Sequence, residues 1–118
     1  MAEAMGIGGF FFRAKDPEAL AAWYAEHLGV APSEGGAPWQ QEAGFTVFAP
    51  FPDQTDYFPA DRAFMLNFRV DDLDALLAQL RAAGIDAEMR EEWDGPHGRF
   101  ARIHDPEGNP VELWQPPA

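Results

Sequence analysis

The sequence predicts an α+β fold in which one structural unit is used twice, and three observations indicate this. Residues 12–20 align with residues 68–76, 56 positions later, so a phenylalanine-arginine pair ends an apolar run in both places. In both copies an aspartate suited to capping a helix follows that pair. A glycine suited to ending the helix then follows, at Gly29 and Gly84. We therefore predict two βαβββ modules, each with a strand, a helix and three further strands.

The size and composition of the chain fit a single domain. It has 118 residues, of which 47% are hydrophobic and 14% aromatic, and this is enough for one core. We expect one domain over residues 1–118, with module one at 5–50, a linker at 51–62 and module two at 63–115.

Module one begins with an apolar strand predicted at 7–14, which contains three consecutive phenylalanines. Asp16 suits the N-cap of a helix, because its carboxylate accepts from free backbone N–H groups. Pro17 suits the first helical position, where the backbone N–H that proline lacks would have no partner within the helix. Apolar residues at helical spacing give this helix one buried face. The remaining strands of the module are predicted at 30–34, 39–42 and 45–49.

Module two repeats this order after a linker whose prolines and aromatic residues we expect to pack on the rest of the domain. Asp72 suits the N-cap of a helix whose leucines recur at helical spacing. A tight turn is predicted at 105–109, where Gly108 and Asn109 favour turn conformations. The strands of this module are predicted at 64–70, 85–93, 99–104 and 111–114.

Alternation along the strands of module two separates a helix-covered face from a mixed face that carries polar groups. Phe68 and its alternate neighbours are apolar and suit the helix side, which leaves Asn67 and Arg69 on the other side. On the last strand Glu112 and Trp114 share that other side. Polar groups on a partly buried face are more typical of a ligand site than of a core. The ligand-binding candidates are Phe11, Arg13, Trp39, Phe45, Met65, Asn67, Arg69, Trp93, Phe100, Arg102 and Trp114.

Glu112 is the candidate catalytic residue, and two interpretations of it stay open. A carboxylate in an apolar cavity could carry a proton as general base or acid. It could instead form an ion pair with Arg13, Arg69 or Arg102. Arg13 and Arg69 occupy equivalent positions and could clamp a carboxylate or phosphate through two parallel hydrogen bonds, or could reach solvent at the ends of their strands.

The tryptophans and histidines also have two interpretations each. Trp39, Trp93 and Trp114 fall in predicted strands, where they could line a flat aromatic pocket or pack within the sheet. His97 and His104 could shuttle a proton, or could lie exposed without a role.

The charge of the chain excludes two classes of partner. Eight basic against 20 acidic residues give a net charge of -12, which repels phosphate backbones and anionic membranes. We expect no nucleic-acid partner and no membrane association. Residues 1–9 lack the basic segment and apolar stretch of a secretory signal, and the chain has no cysteine, so we expect a cytoplasmic protein.

These features together resemble the vicinal oxygen chelate superfamily, which includes glyoxalase I, bleomycin-resistance proteins and extradiol dioxygenases. The segments that carry the resemblance are 12–29, 70–73 with 80–84, and 105–113. The last segment is the most specific, since Gly108 and Asn109 make the turn and Glu112 follows three residues later. The resemblance extends over nearly the whole chain.

The resemblance implies two βαβββ modules that form a curved mixed sheet around a shared cavity, the glyoxalase/bleomycin-resistance fold, and commonly a dimer. In metal-dependent members four positions hold the ion, and these correspond here to Gly9, Val47, Met65 and Glu112. Glycine and valine offer no ligand atom, and a thioether suits hard or borderline divalent ions poorly. Because a catalytic zinc typically needs about three protein ligands, we expect no metal and no cofactor.

The resemblance implies a metal-independent protein that binds a small organic molecule, aromatic or acid-bearing, in the inter-module cavity, as bleomycin-resistance proteins do. One alternative is a glyoxalase-related lyase or isomerase in which Glu112 carries the proton. Another is a structural or regulatory dimer whose cavity is filled by side chains. The expected partners are a small-molecule ligand and a second copy of the chain.

Overall fold

The computed structural model describes residues 2–31 and 38–118, which form an α+β arrangement of two helices and a three-stranded sheet. A short 3-10 helix spans Glu91–Trp93. The elements are α1 (Pro17–Leu28), β1 (Leu66–Arg69), α2 (Leu73–Ala82), β2 (Arg99–His104) and β3 (Pro110–Gln115). The predicted α+β class is confirmed.

The sheet is mixed and has the order β1-β3-β2. β1 runs parallel to β3, with Asn67 opposite Glu112, and β2 runs antiparallel to β3, with Arg102 opposite the same glutamate. β3 therefore lies in the centre of the sheet and holds together two strands that are far apart in the sequence. The turn between β2 and β3 closes with Gly108 at φ +82°, the left-handed conformation that glycine adopts without strain.

Both predicted helix caps are confirmed. The Asp16 carboxylate accepts a hydrogen bond from the backbone N–H of Ala19 at 3.1 Å, and Gly29 ends α1 in the left-handed conformation. The Asp72 carboxylate accepts from the N–H of Ala75 at 3.0 Å. Each cap satisfies a helix N–H that has no partner within the helix, so these ends are specified locally.

The core lies between the helices and one face of the sheet. Alternate residues of β2 and β3 point into it, as the alternation of the sequence predicts, and the fully buried leucines of α2 pack against them. The buried apolar residues are Leu20, Tyr24, Leu73, Leu77, Leu80, Ala101, Ile103, Val111 and Leu113. The opposite face of the sheet therefore carries the polar members of these strands.

The turn at 105–109 joins this core to the first helix. Asp105 is buried, and its carboxylate accepts from the Tyr24 hydroxyl of α1 at 2.7 Å and from backbone N–H groups of its own turn. Glu107 accepts from the N–H groups of Lys15 and Asp16, at 2.6 and 3.0 Å, just before α1 begins. The acidic residues of this turn thus hold α1 against module two.

The predicted strands of module one need a correction. The structure describes residues 7–14, 39–42 and 45–49, and none of these segments forms a strand. The strand predicted at 30–34 extends into residues 32–37, which lie outside the described residues. A strand forms only where a neighbour supplies hydrogen bonds and covers one face. Here Phe11, Phe45 and Phe48 are 95%, 88% and 83% exposed. Phe12 and Ala14 do pack against the core, but no neighbouring strand supplies hydrogen bonds to these apolar runs in the described residues.

The strand predicted at 85–93 is also corrected. Glu88 pairs with Arg102 in a single bridge, with N–O distances of 2.8 and 2.9 Å, and the chain then turns into the 3-10 helix. The Trp93 ring lies 5.1 Å from the Arg90 guanidinium and 5.3 Å from that of Arg102. We attribute the early end of pairing to this stacking, which requires the chain to turn back over the sheet.

None of the helices in the described part of the chain has both the length and the apolar character needed to cross a bilayer.

Candidate functional site

The candidate site is the face of the sheet opposite the helices, which we call the polar face and define as Asn67, Arg102, Glu112, Phe100 and Trp114. The strand register places Asn67, Glu112 and Arg102 in one row across the three strands. Phe100 and Trp114 lie opposite each other in the next row, and residues in register on neighbouring strands project to the same side. The sequence anticipated this set, and the sheet topology brings it together.

Glu112 is buried, with 7% of its surface exposed, and both of its carboxylate oxygens are engaged. Oε1 accepts from the Asn67 side-chain amide at 2.7 Å, and Oε2 accepts a short hydrogen bond from the Tyr57 hydroxyl. The ion pairs that the sequence suggested for Glu112 are absent from the described residues. A buried carboxylate is tolerated when hydrogen-bond donors satisfy it, and here two neutral donors do so.

Tyr57 is the site residue that the sequence analysis did not select. It lies in the linker, and its ring sits over the polar face, 6.2 Å from the Trp93 ring. Burial, together with the hydrogen bond to Glu112 and the charge of that carboxylate, raises the pKa of Tyr57 to about 12. The aromatic composition of the linker indicated packing, but no local pattern indicated which of its rings would reach Glu112.

Arg102 lies beside this pair on β2 and is also buried, with 7% of its surface exposed. Its guanidinium is stacked 5.2 Å from the Tyr57 ring and 5.3 Å from the Trp93 ring, and Nη2 donates to the Tyr57 carbonyl at 2.8 Å. Tyr57 therefore contacts both charged residues of the polar face. A planar guanidinium beside two aromatic rings is a favourable arrangement.

The aromatic part of the polar face is flat. The rings of Phe100 and Trp114 are nearly parallel, 4° apart, with centroids separated by 6.2 Å. Trp114 Nε1 donates to the carbonyl of His97 at 2.7 Å, which ties the 94–98 loop to β3. His97 thus contributes its backbone here, and the proton-shuttle role suggested for it stays a prediction. Offset rings of this kind suit stacking of a further planar group.

Arg69 does not stand free at the end of β1. Its guanidinium donates to the carbonyls of Glu42 at 2.9 Å and Ala43 at 3.4 Å. Gly44 allows this close approach, because a Cβ at that position would overlap the guanidinium.

A cleft of about 320 Å³ lies beside Arg69. The cleft is lined by Glu42, Arg69, Val70, Asp71, Gln115, Pro116 and Ala118. The predicted symmetric clamp with Arg13 is not assembled, since Arg13 is exposed and makes no side-chain hydrogen bond or ion pair with the described residues.

The remaining candidates are dispersed. Phe11, Trp39 and Phe45 are exposed, and within the described residues no hydrogen bond or ring contact joins them to the polar face. Met65 is half-buried just before β1, and Trp93 is half-buried over Arg102. Sequence alone could not separate these two groups, because an aromatic residue is equally plausible in a pocket or on an unpaired segment.

The residues at the family's metal positions do not fit a divalent ion. Gly9, Val47 and Met65 supply no oxygen or nitrogen side-chain ligand, and the two oxygens of Glu112 are already hydrogen-bonded to Asn67 and Tyr57. Among the residues described, no cluster of three or more histidine, cysteine, aspartate or glutamate side chains could hold a metal.

A second cleft, of about 570 Å³, opens along the edge of β2. Its walls are formed by Arg81, Asp86, Ala87, Glu88, Met89, Arg102 and His104. His104 is exposed at the end of β2, and its role stays a prediction. Arg102 therefore belongs both to the polar face and to this cleft.

Comparison with known proteins finds one solved structure that is similar over nearly the whole chain, two partial matches and one matching domain family. TnmS3, an antibiotic-binding protein from Streptomyces sp. CB03234, is similar over 99% of this chain and 100% of its own, with 24% identity and a TM-score of 0.59. A glyoxalase/bleomycin resistance protein from the same organism matches 52% of this chain and 54% of its own at 35% identity, with a TM-score of 0.35. The comparison with curated proteins found no match.

A glyoxalase family protein from Enterococcus faecalis is similar over 55% of this chain and 52% of its own, with 28% identity and a TM-score of 0.39. The profile of the glyoxalase-like domain matches residues 9–114, which include both helices, the linker and all of the sheet except Gln115. The predicted superfamily and the glyoxalase/bleomycin-resistance fold are thereby confirmed, and this chain belongs to the glyoxalase-like domain family.

Proposed function

We propose that this protein binds a small organic molecule, aromatic or acid-bearing, against the polar face of its sheet, without a metal ion. The observation that carries the proposal is the row Asn67–Glu112–Arg102 beside the parallel rings of Phe100 and Trp114. A few oriented polar groups next to a flat apolar surface are the usual components of a ligand site. The fold shared with TnmS3, described as an antibiotic-binding protein, supports the same class of function.

Metal independence is part of the proposal and rests on the donor set. Glu112 is the one family position with a suitable side chain, and Tyr57 and Asn67 already occupy its oxygens. Elemental analysis of protein purified without chelator should find less than stoichiometric divalent metal. A stoichiometric ion that survives dialysis would contradict this part of the proposal.

We favour binding over catalysis for a related reason. A general base must reach the substrate proton, and Glu112 is buried with the Tyr57 hydroxyl and the Asn67 amide already bonded to its two oxygens, so a substrate would have to displace these groups or share the oxygens with them. The lyase or isomerase alternative predicts that Glu112→Gln abolishes turnover of any substrate found. The binding proposal predicts no turnover by the wild-type protein and retained ligand affinity in Asn67→Ala variants to within about tenfold.

The binding proposal is tested by thermal unfolding against a library of small aromatic and acidic compounds. A ligand present at a hundredfold excess over its Kd stabilises the folded state by about 2.7 kcal/mol, which raises the Tm by several degrees. We expect Phe100→Ala to lose this shift, because it removes half of the flat aromatic surface. The control Phe48→Ala removes an equally large ring that is 83% exposed in module one. A library without any shift would contradict the proposal.

We further propose that two copies of the chain associate and that the protein is cytoplasmic. Association is supported by the apolar surface of module one, where Phe11, Phe45 and Phe48 are largely exposed, since large exposed apolar patches commonly mark interfaces. Light scattering should give twice the monomer mass of 13.1 kDa. A monomer at micromolar concentration would contradict this, and it would also exclude the structural-dimer alternative.

A further inference from the structure

Arg102 is a buried cation without an anionic partner. Among the residues that the structure describes, the ion pairs involve Arg90, Arg99 and His27, and none includes Arg102. The neighbouring carboxylate, Glu112, is directly opposite in the sheet, yet it accepts from Tyr57 and Asn67 instead. A buried charge is costly unless a counter-charge or several hydrogen bonds compensate for it.

One nitrogen of this side chain is left without any acceptor. Arg102 Nη2 donates to the Tyr57 carbonyl, whereas Arg102 Nε is fully buried and has no hydrogen-bond partner. Most buried polar groups in folded proteins are satisfied, so an exception calls for a specific reason. A ligand carboxylate at the guanidinium would supply the missing negative charge, and a small shift of the side chain would bring Nε within hydrogen-bond distance of its oxygens.

The cleft beside Arg102 is large enough for such a ligand. It measures about 570 Å³, within the range of small-molecule sites. Met89 and Ala87 contribute apolar surface to its wall, and the Trp93 ring covers the guanidinium from one side. A ring system with an acid group therefore finds apolar contact and a cation at the same place.

The charges around the cleft favour a single negative charge on the ligand. Glu88 is neutralised by Arg90, whose Nη2 lies 3.0 Å from the Glu88 carboxylate. The other charged residues on the wall are Asp86, Arg81 and Arg102. The negative charge of Asp86 offsets one of the two arginines, so the wall has a balance of one positive charge when histidine is neutral. A carboxylate matches this balance, whereas a dianionic phosphate exceeds it in a chain of net charge -12.

We propose that Arg102 is the anion-binding residue of this protein and that its ligand is a monoanionic aromatic carboxylate whose acid group lies at Arg102, where the polar face meets the cleft between β2 and residues 86–89. This inference rests on the proposed function and specifies the chemistry of the ligand. The Tyr57 and Trp93 rings both lie beside the guanidinium, and the ligand carboxylate accepts from this guanidinium.

The test compares three probes that share one ring system: 2-naphthoate, neutral 2-naphthamide and 2-naphthyl phosphate. Isothermal titration calorimetry on the full chain should show 2-naphthoate binding roughly tenfold or more tightly than 2-naphthamide, because a charge-assisted hydrogen bond replaces a neutral one. Arg102→Met removes the charge and the donors while keeping the length of the side chain, and it should abolish this preference. Arg102→Lys keeps the charge and should retain part of it.

Arg99→Met is the matched control. Arg99 is on the same strand but on the opposite side of the sheet, where it pairs with Asp74 of α2 at 2.9 Å. This variant removes one positive charge of the chain without touching the cleft, and it should keep the preference for 2-naphthoate. Loss of the preference in Arg99→Met as well would point to net charge alone and overturn the assignment to Arg102.

The remaining outcomes separate this inference from the proposed function. Equal affinity of wild-type protein for 2-naphthoate and 2-naphthamide overturns the anion site and leaves small-molecule binding standing. Tighter binding of 2-naphthyl phosphate overturns the preference for a single charge. Absence of binding by all three probes overturns the inference, and the library measurement then decides the proposed function separately. The comparison of probes on wild-type protein stays decisive even if Arg102→Met fails to fold.

Discussion

The two modules carry the same predicted order of elements, yet module two forms a sheet and a core whereas module one contributes a helix. In module two, Ile103, Val111 and Leu113 are fully buried. In module one the aromatic Phe45 is 88% exposed, and the two buried apolar residues among those described, Leu20 and Tyr24, belong to α1. The comparison teaches that an apolar run becomes a strand only when a neighbouring strand and a covering helix are both within reach.

The turns of the two modules account for part of the difference. The turn at 105–109 satisfies its backbone N–H groups internally, because two of them donate to the Asp105 carboxylate. The two strands that it joins, β2 and β3, then pair with each other. Between the predicted strands at 39–42 and 45–49, the carbonyls of Glu42 and Ala43 instead accept from Arg69. These carbonyls are satisfied by a side chain, so this segment does not need a hairpin ladder to satisfy them.

The largest expected effect separates the modules directly. Leu113→Ala should lower the free energy of unfolding by about 2–5 kcal/mol, because it leaves a cavity at a fully buried position. Phe45→Ala should change it by about 0.5 kcal/mol or less, because that ring is largely in solvent. Denaturant unfolding followed by tryptophan fluorescence measures both. Equal losses would break the comparison, since Phe45 would then be buried in solution.

A smaller effect is expected from the loop that joins the 3-10 helix to β2. Gly98→Ala should destabilise the fold by about 1–3 kcal/mol, because Gly98 has φ +122° and a Cβ there would overlap the Gln115 carbonyl. The control is Gly95→Ala, where a Cβ meets nothing within 4 Å and φ is not positive. Thermal unfolding of both variants measures the difference. A Gly95→Ala protein as unstable as Gly98→Ala would show that the loop is held by something other than this close approach.

The contact between the modules is tested at Tyr24. Tyr24→Phe removes the hydroxyl that donates to the buried Asp105 carboxylate, and we expect a loss of about 1–3 kcal/mol. Burial and the adjacent Asp105 carboxylate also raise the pKa of Tyr24, so its neutral form is the one that stabilises the fold. A double-mutant cycle with Asp105→Asn measures the coupling. Additive effects of the two substitutions would mean that the Tyr24–Asp105 hydrogen bond does not help to hold α1.

The smallest effect concerns the linker and appears only at high pH. The pKa of Tyr57 is raised from 10.0 to about 12, first by burial and then by Glu112. A raised pKa contributes stability that is complete below about pH 10 and is lost as the pH rises through about 12. The unfolding free energy of Tyr57→Phe should therefore fall less steeply with pH than that of the wild-type protein over this interval. Superimposable pH profiles would show that Tyr57 is not held against Glu112 in solution.

The sequence predicted the parts of the fold that depend on neighbours in the chain. The caps at Asp16 and Asp72, the stop at Gly29 and the turn at 105–109 all follow from local hydrogen bonding and backbone preference. It also predicted the composition of the polar face, because alternation along a strand decides which side each residue faces.

The sequence missed the contacts of the site that involve distant segments. Glu112 was expected either to stand free or to pair with an arginine, and it is instead satisfied by Tyr57, 55 positions away in the sequence. Arg69 was expected in a clamp and instead holds two backbone carbonyls of module one. No local rule specifies which hydroxyl or carbonyl reaches a given charged group.

The sequence by itself determined the two helices, the β2–β3 hairpin and the family to which the chain belongs, since each depends on motifs that are short and locally satisfied. Only the tertiary structure decided that β1 joins the sheet beside β3, that the linker covers the polar face and that Arg102 is left without an anion. The physical reason is that pairing of distant strands and burial of charge depend on the total of many non-local contacts. No single segment of the sequence determines these totals.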